Sequence, residues 1–260
     1  MIGDISIIVT HFHDFDWTEL LIQKLYRFTD VSKIKEIVII NQDRKLESEK
    51  RLSKLSSKIR IIQYPKSEKH FQIQGHDHAY VLNRAINEVT GKYICIFDSD
   101  AHPIKPNWID KCEDIFNNYD AILALDPSKL LETHPCFMFI KNNIDKLPIS
   151  FDEGLFEFNK DTGRLVGQQL EKKGWKTYLI QPSKAFNGYF GYIYIDVIYH
   201  HSNASYYGAA DNRITRQVTW KNKYFKKLVM KNNLYSFTFV ELLKYKFTSK
   251  IHTLINVSHK

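Results

Sequence analysis

The stretch GKYICIFDSDAHP, residues 91–103, is an apolar run that ends in two aspartates one residue apart, Asp98 and Asp100. Carboxylates at the end of a buried run are costly unless something positive meets them. An Asp-x-Asp turn can present both to one hard cation. Mg²⁺ takes one or two protein carboxylates and fills its other positions with phosphate oxygens and water. A solvated turn is the plainer reading of such a pair. Its position after YICIF, at a predicted strand end, favours the metal. Two other predicted strand ends are polar as well, at THFH (residues 10–13) and NQD (residues 41–43). The three ends together carry more weight than any one of them.

The elements that must position these groups follow from hydrophobic pattern. DISIIVTHF (4–12), IKEIVIINQD (34–43), KIRIIQYP (58–65) and KYICIFDSD (92–100) are short apolar runs closed by polar residues, and they predict buried strands. Between them, DWTELLIQKLYRFTD (16–30) has helical spacing with Asp16 as a cap, KLESEKRLSKLSS (45–57) reads as a polar helix, and HAYVLNRAINEVTG (78–91) as a helix closed by Gly91. Strands that alternate with helices and are buried on both faces predict an α/β fold with a parallel sheet. Ligands of such sheets sit at the carboxyl ends of the strands. Further on, PNWIDKCEDIFNN (106–118) predicts a helix, and YDAILALDP (119–127) and HPCFMFIKN (134–142) predict strands. KDTGRLVGQQLEKKGWK (160–176) predicts an amphipathic helix ending at Gly174. YFGYIYIDVIYHHSNASYYG (189–208) reads as one aromatic strand that enters a polar loop.

From Asp4 to about Trp108 the chain resembles the bacterial family-2-like glycosyltransferases of the GT-A fold. LNRAINEVTGKYICIFDSDAHPIKPNW (82–108) carries most of the likeness. In that family a helix bearing an Asn runs to a Gly, and a strand then delivers a DxD that binds a divalent metal and a nucleotide diphosphate. Asn83, Gly91 and Asp98 have that spacing, with Ala85 where the family often has Gly. The resemblance implies a mostly parallel central sheet flanked by helices, and the following roles. Asp100 is the main ligand of Mn²⁺ or Mg²⁺, and Asp98 meets the ribose or a metal-bound water, with Ser99 between them. Thr10, His11, Phe12 and Asp43 line the nucleobase. His78 and Asn83 contact the sugar or diphosphate. A late histidine, His200 or His201, adds a metal contact, and strand alternation would point only one of the two inward. The family's acceptor base would be Asp161, with Asp152 and Glu153 in reserve. An ordinary helix N-cap is the alternative for Asp161.

The resemblance also implies the activity: a metal-dependent hexosyltransferase that moves a sugar, with inversion, from a nucleotide-diphosphate donor to a hydroxyl of a saccharide or lipid-linked acceptor. UDP is the family's commonest nucleotide, and surface polysaccharide or lipopolysaccharide the usual destination. Other readings of a strand-end DxD are weaker. Haloacid-dehalogenase-type phosphatases carry it on the first strand, followed by Gly, whereas here it is on the fourth and followed by AHP. A nucleotidyltransferase calls for a Gly-rich loop that VTHFHDFD lacks. A GT-A-like scaffold without catalysis would not need both aspartates.

Composition limits the rest. The chain has 260 residues, 43% of them hydrophobic and 25% charged, enough for a sizeable core. The net charge of +8 is concentrated in Trp220–Lys260, which holds nine lysines against one acid, Glu241. The body is neutral, which argues against nucleic acid as a partner and for a tail that meets an anionic surface. Residues 1–219 are therefore read as the transferase domain and 220–260 as a basic, aromatic helical tail, packed on it or at a membrane. Cys95, Cys112 and Cys136 form no zinc-type spacing and suit a reducing compartment. With no leader or membrane span legible, the expected location is cytoplasmic, peripheral at the inner face of the membrane.

Overall fold

The run ISIIVTH forms β1 (Ile5–His11), and both of its faces are buried. Ile7 and Val9 enter one core layer and Ile8 the other. A strand covered on both sides has no polar face to show, so it reads as a continuous β-branched run. The computed structural model describes residues 2–12, 15–42, 46–64, 76–126, 129, 131–142, 147–152, 162–185 and 191–201. After β1 come α1 (Phe15–Phe28), β2 (Ile34–Asn41), α2 (Leu46–Ser53), β3 (Ile59–Gln63), α3 (His76–Ala85) and β4 (Tyr93–Asp98). The second half holds β5 (Ala101–Pro103), α4 (Trp108–Phe116), β6 (Ala121–Leu125), β7 (Thr133–Lys141), α5 (Val166–Lys172), β8 (Thr177–Ile180), β9 (Pro182–Ala185), β10 (Tyr192–Tyr194) and β11 (Ile198–His200).

The main sheet has the order β3-β2-β1-β4-β7-β6-β8. β7 runs against β4 and β6, and the other strands share one direction. The expected mostly parallel sheet flanked by helices is therefore present. Leu21 and Leu25 of α1 and Trp108, Cys112 and Phe116 of α4 cover one face. Val81 and Leu82 of α3 and Val166 and Leu170 of α5 cover the other. Each such fully buried side chain contributes about 1.5–3 kcal/mol of transfer free energy. The sheet is thereby a rigid base for whatever its strand ends carry.

A second sheet, β5-β11-β10-β9, is antiparallel throughout. The aromatic run expected as one strand is in fact a hairpin. β10 turns into β11 at Ile195 and Asp196, whose φ values are +44° and +60°, with the Val197 N–H donating to the Tyr194 carbonyl at 3.1 Å. Such a turn is usually marked by Asn-Gly or Asp-Gly, and Ile-Asp gives no such signal. Gly191 opens β10 at φ +79°, and a Cβ there would lie 1.8 Å from the His200 carbonyl oxygen. Only glycine permits that approach.

Three helix ends also depart from expectation. Asp16 lies inside the first turn of α1 rather than at its cap, a place where a carboxylate still favours the helix dipole. The helix expected to close at Gly91 ends at Ala85 and tightens through i to i−3 bonds at Asn87 and Glu88. Gly91 instead docks on β1, its N–H donating to Ser6 Oγ at 2.9 Å. The helix expected over 160–176 begins only at Val166, with Leu165 at its N-cap, because Gly163 sits at φ +71°, outside helical space. The segment 220–260 lies outside the described residues.

Candidate functional site

Three neighbouring strands of the main sheet bring polar residues to one edge. Thr10 of β1 pairs with Asp98 of β4. Phe97 of β4 pairs with Phe137 of β7, and one residue beyond that pair stand Asp98 and Cys136. His78, in the first turn of α3, reaches this edge from the side. Its Nε2 is 3.4 Å from Asp98 Oδ1 and 3.2 Å from Thr10 Oγ1.

The small sheet supplies the remaining side. β5 follows Asp100 directly and pairs with β11, which sets His200 opposite Ala101. The His201 N–H donates to the Asp100 carbonyl at 3.0 Å and continues the ladder. His200 Nε2 then lies 3.4 Å from Asp100 Oδ1 and 3.9 Å from Asp98 Oδ2. His134 Nδ1 is 4.0 Å from Asp98 Oδ2. Asp98, Asp100 and His200 offer ligand atoms that all lie within 4.8 Å of one another. Two carboxylates and an imidazole are a donor set suited to Mn²⁺, and to Mg²⁺ through the oxygens.

The charges in this edge support each other. Burial works to raise the Asp98 carboxyl, but the hydrogen bond and charge of His78 outweigh it, His134 and His200 add to that, and the group ends below its usual range. Burial works to lower His200, yet the neighbouring Cys136 and Asp100 hold it well above the ordinary imidazole range. Burial would raise the Cys136 thiol, but His200 and His134 bring it down to about 7. Cys112, buried without such partners, is driven upward instead.

The other residues singled out in the sequence fall into three groups. Thr10, His78, Asp98, Ser99, Asp100 and His200 come together at the strand ends, Ser99 being buried between the aspartates. His201 faces away from the aspartates, its ring stacked on Trp17 at 4.6 Å and its Nδ1 3.0 Å from the Tyr199 hydroxyl. His11 is buried at the end of β1, with Nδ1 2.7 Å from Thr18 Oγ1, and the partly buried Phe12 follows it. Asn83 spends its amide on the loop before α5. It donates to Asp152 at 3.2 Å and accepts from the Phe151 N–H at 2.8 Å. Asp152 also accepts from the Ser150 hydroxyl, so this carboxylate is held in place by Asn83 and Ser150. Asp43, Glu153 and Asp161 lie outside the described residues.

His134 and Cys136 were not foreseen. They occupy alternate positions of β7 and so share a face. The signal available was His-x-Cys at the start of an apolar strand, which a search for paired cysteines passes over.

The model for glycosyl transferase family 2 matches residues 6–138, just over half of the chain. The chain belongs to glycosyl transferase family 2. The family match takes in Thr10, His78, Asp98, Asp100, His134 and Cys136, while His200 lies beyond it. No curated protein matches the chain in sequence. Among solved structures, the mannosyltransferase PcManGT from Pyrobaculum calidifontis, in complex with GDP-Man and Mn²⁺, superposes with a TM-score of 0.50 at 12% identity, over 86% of this chain and 70% of that one. A 4-diphosphocytidyl-2C-methyl-D-erythritol synthase from Anaerococcus prevotii DSM 20548 reaches 0.48 at 11% identity, over 86% of this chain and 96% of the other. At 12% identity the likeness to the mannosyltransferase is one of fold. For this family 2 member the fold is GT-A: a Rossmann-like sheet with the DxD at the end of its fourth strand in sequence.

Proposed function

We propose that the protein is a metal-dependent transferase that moves a hexosyl group, with inversion, from a nucleotide-diphosphate donor, UDP-sugar in the first instance, to a hydroxyl of a saccharide or lipid-linked acceptor. The observation that carries this reading is the meeting of Asp98, Asp100 and His200 at one point, delivered by two separate sheets. Asp100 and His200 would hold Mn²⁺ or Mg²⁺, with Asp98 bound to it directly or through water. When bound, the ion would neutralise the negative charge that builds on the departing nucleotide diphosphate.

The chain's own groups do the rest. His78, braced by Thr10 and Asp98, stands at the start of α3, where its imidazole can donate to a phosphate or sugar oxygen. Helix N-terminal N–H groups favour an anion at the same place. A carboxylate takes the acceptor proton, the freed oxygen bonds to the anomeric carbon, and the bond from that carbon to the diphosphate breaks. Asp161 is the first choice for this base, with Asp152 and Glu153 behind it. A base of this kind is worth about two to four orders of magnitude in rate. Among the described residues no helix is long and apolar enough to cross a membrane. The basic 220–260 segment would instead bring the enzyme to an anionic membrane surface where surface-polysaccharide acceptors are carried.

The test is nucleotide release from UDP-, GDP- and TDP-sugars with Mn²⁺, Mg²⁺ or EDTA, with binding of the matching nucleotide measured alongside. Asp100→Asn is expected to abolish both turnover and metal-dependent nucleotide binding while circular dichroism stays native. Equal turnover in EDTA and in Mn²⁺ would sink the proposal.

A further inference from the structure

Next to the aspartates lies a second donor set, two of whose three members the transfer reaction does not call on. His134 and Cys136 reach out from one face of β7, and His200 meets them from β11. Their ligand atoms all lie within 4.8 Å of one another, and the two imidazole rings are 5.1 Å apart. Cys136 is a buried, free cysteine. His200 is only 5% exposed, and its Nδ1 has no hydrogen-bond partner among the described residues. A nine-tenths buried imidazole nitrogen left this way costs free energy unless something else engages it.

We infer that His134, Cys136 and His200 form a second metal site, built for a softer ion of the Zn²⁺ class and sharing His200 with the Asp98–Asp100 pair. Thiolate and imidazole are the ligands Zn²⁺ prefers, whereas carboxylate and water suit Mg²⁺ and Mn²⁺. Ligand atoms of a tetrahedral zinc site stand about 3.3–3.8 Å apart, so side-chain rotations of about 1 Å close this triad on an ion. Asp98 Oδ2 lies 4.0 Å from His134 and 3.9 Å from His200, where it can take the fourth position or orient the imidazoles. Binding releases the Cys136 thiol proton to solvent, and a Zn–S bond forms in its place.

Sharing His200 has a functional consequence. An ion held by His134, Cys136 and His200 sets a second dication against the carboxylate set. Zn²⁺ therefore opposes Mn²⁺ by like-charge repulsion across the shared imidazole. The inference uses only the positions of these side chains and stands whichever donor the enzyme takes.

The experiment is a Co²⁺ titration of full-length protein stripped with a chelator. Co²⁺ bound to a thiolate shows a sulfur-to-cobalt charge-transfer band in the near ultraviolet, which a carboxylate–imidazole site does not. The expected result is such a band that saturates at one ion per chain, disappears on adding Zn²⁺, is lost in Cys136→Ser and persists in Asp100→Asn. Zn²⁺ affinity, read by competition with a chromophoric chelator, should fall at least about 100-fold in Cys136→Ser, more than the loss of an outer partner would cause. His134→Gln is the second variant, with the same loss of affinity expected. Absence of the band from wild-type protein, or its survival in Cys136→Ser, overturns the inference. Mn²⁺-dependent transfer without the band rejects this site and leaves the transferase reading intact, whereas the band without transfer does the reverse.

Discussion

His102 sits where the two sheets join, and its burial makes the fold sensitive to acid. It is fully buried in β5, with Tyr199 at 5.3 Å edge-on and Trp17 at 6.4 Å, and neither ring nitrogen has a hydrogen-bond partner among the described residues. Burial first, then the charge of Lys24, lowers its pKa from 6.5 to about 3, Asp100 pulling the other way and His201 adding a little to the lowering. The folded state thus refuses a proton that the unfolded state accepts below 6.5. The stability this group leaves intact above 6.5 is lost as pH falls toward 3. At about pH 5 the unfolded chain gains about 2 kcal/mol by protonating this one histidine. His102→Leu removes the titration and keeps an apolar side chain. Urea unfolding of both proteins, followed by far-ultraviolet circular dichroism at about pH 8 and about pH 5, measures it, because the other titrating groups cancel in the difference. Whatever the substitution costs at pH 8, the balance should shift by about 2 kcal/mol in favour of His102→Leu at pH 5. A stability difference that is the same at both pH values would refute the reasoning. It would mean that the histidine is hydrated or paired in solution.

Two further outcomes bear on the chemistry. Asp161→Asn should lower turnover by about two to four orders of magnitude with nucleotide binding unchanged; if turnover stays near normal, the same loss in Asp152→Asn or Glu153→Gln transfers the role. A chain ending near Gln217 should lose co-sedimentation with anionic vesicles while neutral vesicles bind neither form, since each lysine near such a surface contributes about 1 kcal/mol; equal sedimentation of the two proteins would reject the membrane role.

The parallel half of the fold was legible because both-face burial leaves a plain mark. β1 and β4 are nearly unbroken apolar runs with polar ends, and Thr10 and Asp98 at those ends pair with each other, whereas β3 is a half-exposed strand that carries Arg60. The small sheet was not legible. β5 is three residues long, β9 carries a proline and a lysine, and the β10–β11 turn uses Ile195-Asp196. None of these has a period or turn residue to read. The same limit explains the histidines. Alternation said that one of His200 and His201 faces the aspartates, but which one depends on the register of β11 against β5, and register is a property of pairing. Cys136 was hidden differently: its partners are two residues and one long excursion away, so no spacing between cysteines could reveal it.

That register has mechanical consequences. The main sheet fixes Asp98 through its pairing with Thr10, but Asp100 lies past the strand end and His200 lies outside the family match altogether. A site split this way would be loose if the late segment were tied down only by its own contacts. Here β5 leaves Asp100 with no intervening residue and pairs at once with the strand that carries His200. The His201 N–H bonds to the Asp100 carbonyl at 3.0 Å, and the Ile104 N–H to the Val197 carbonyl at 2.8 Å, bracketing the ladder at both ends. The Tyr194 hydroxyl donates to the Leu125 carbonyl at 3.1 Å and ties the hairpin to the main sheet. Any movement of the β11 backbone away from Asp100 must break backbone hydrogen bonds in a buried ladder. The late histidine therefore comes from a distant part of the chain and is still held firmly opposite Asp100 by backbone pairing.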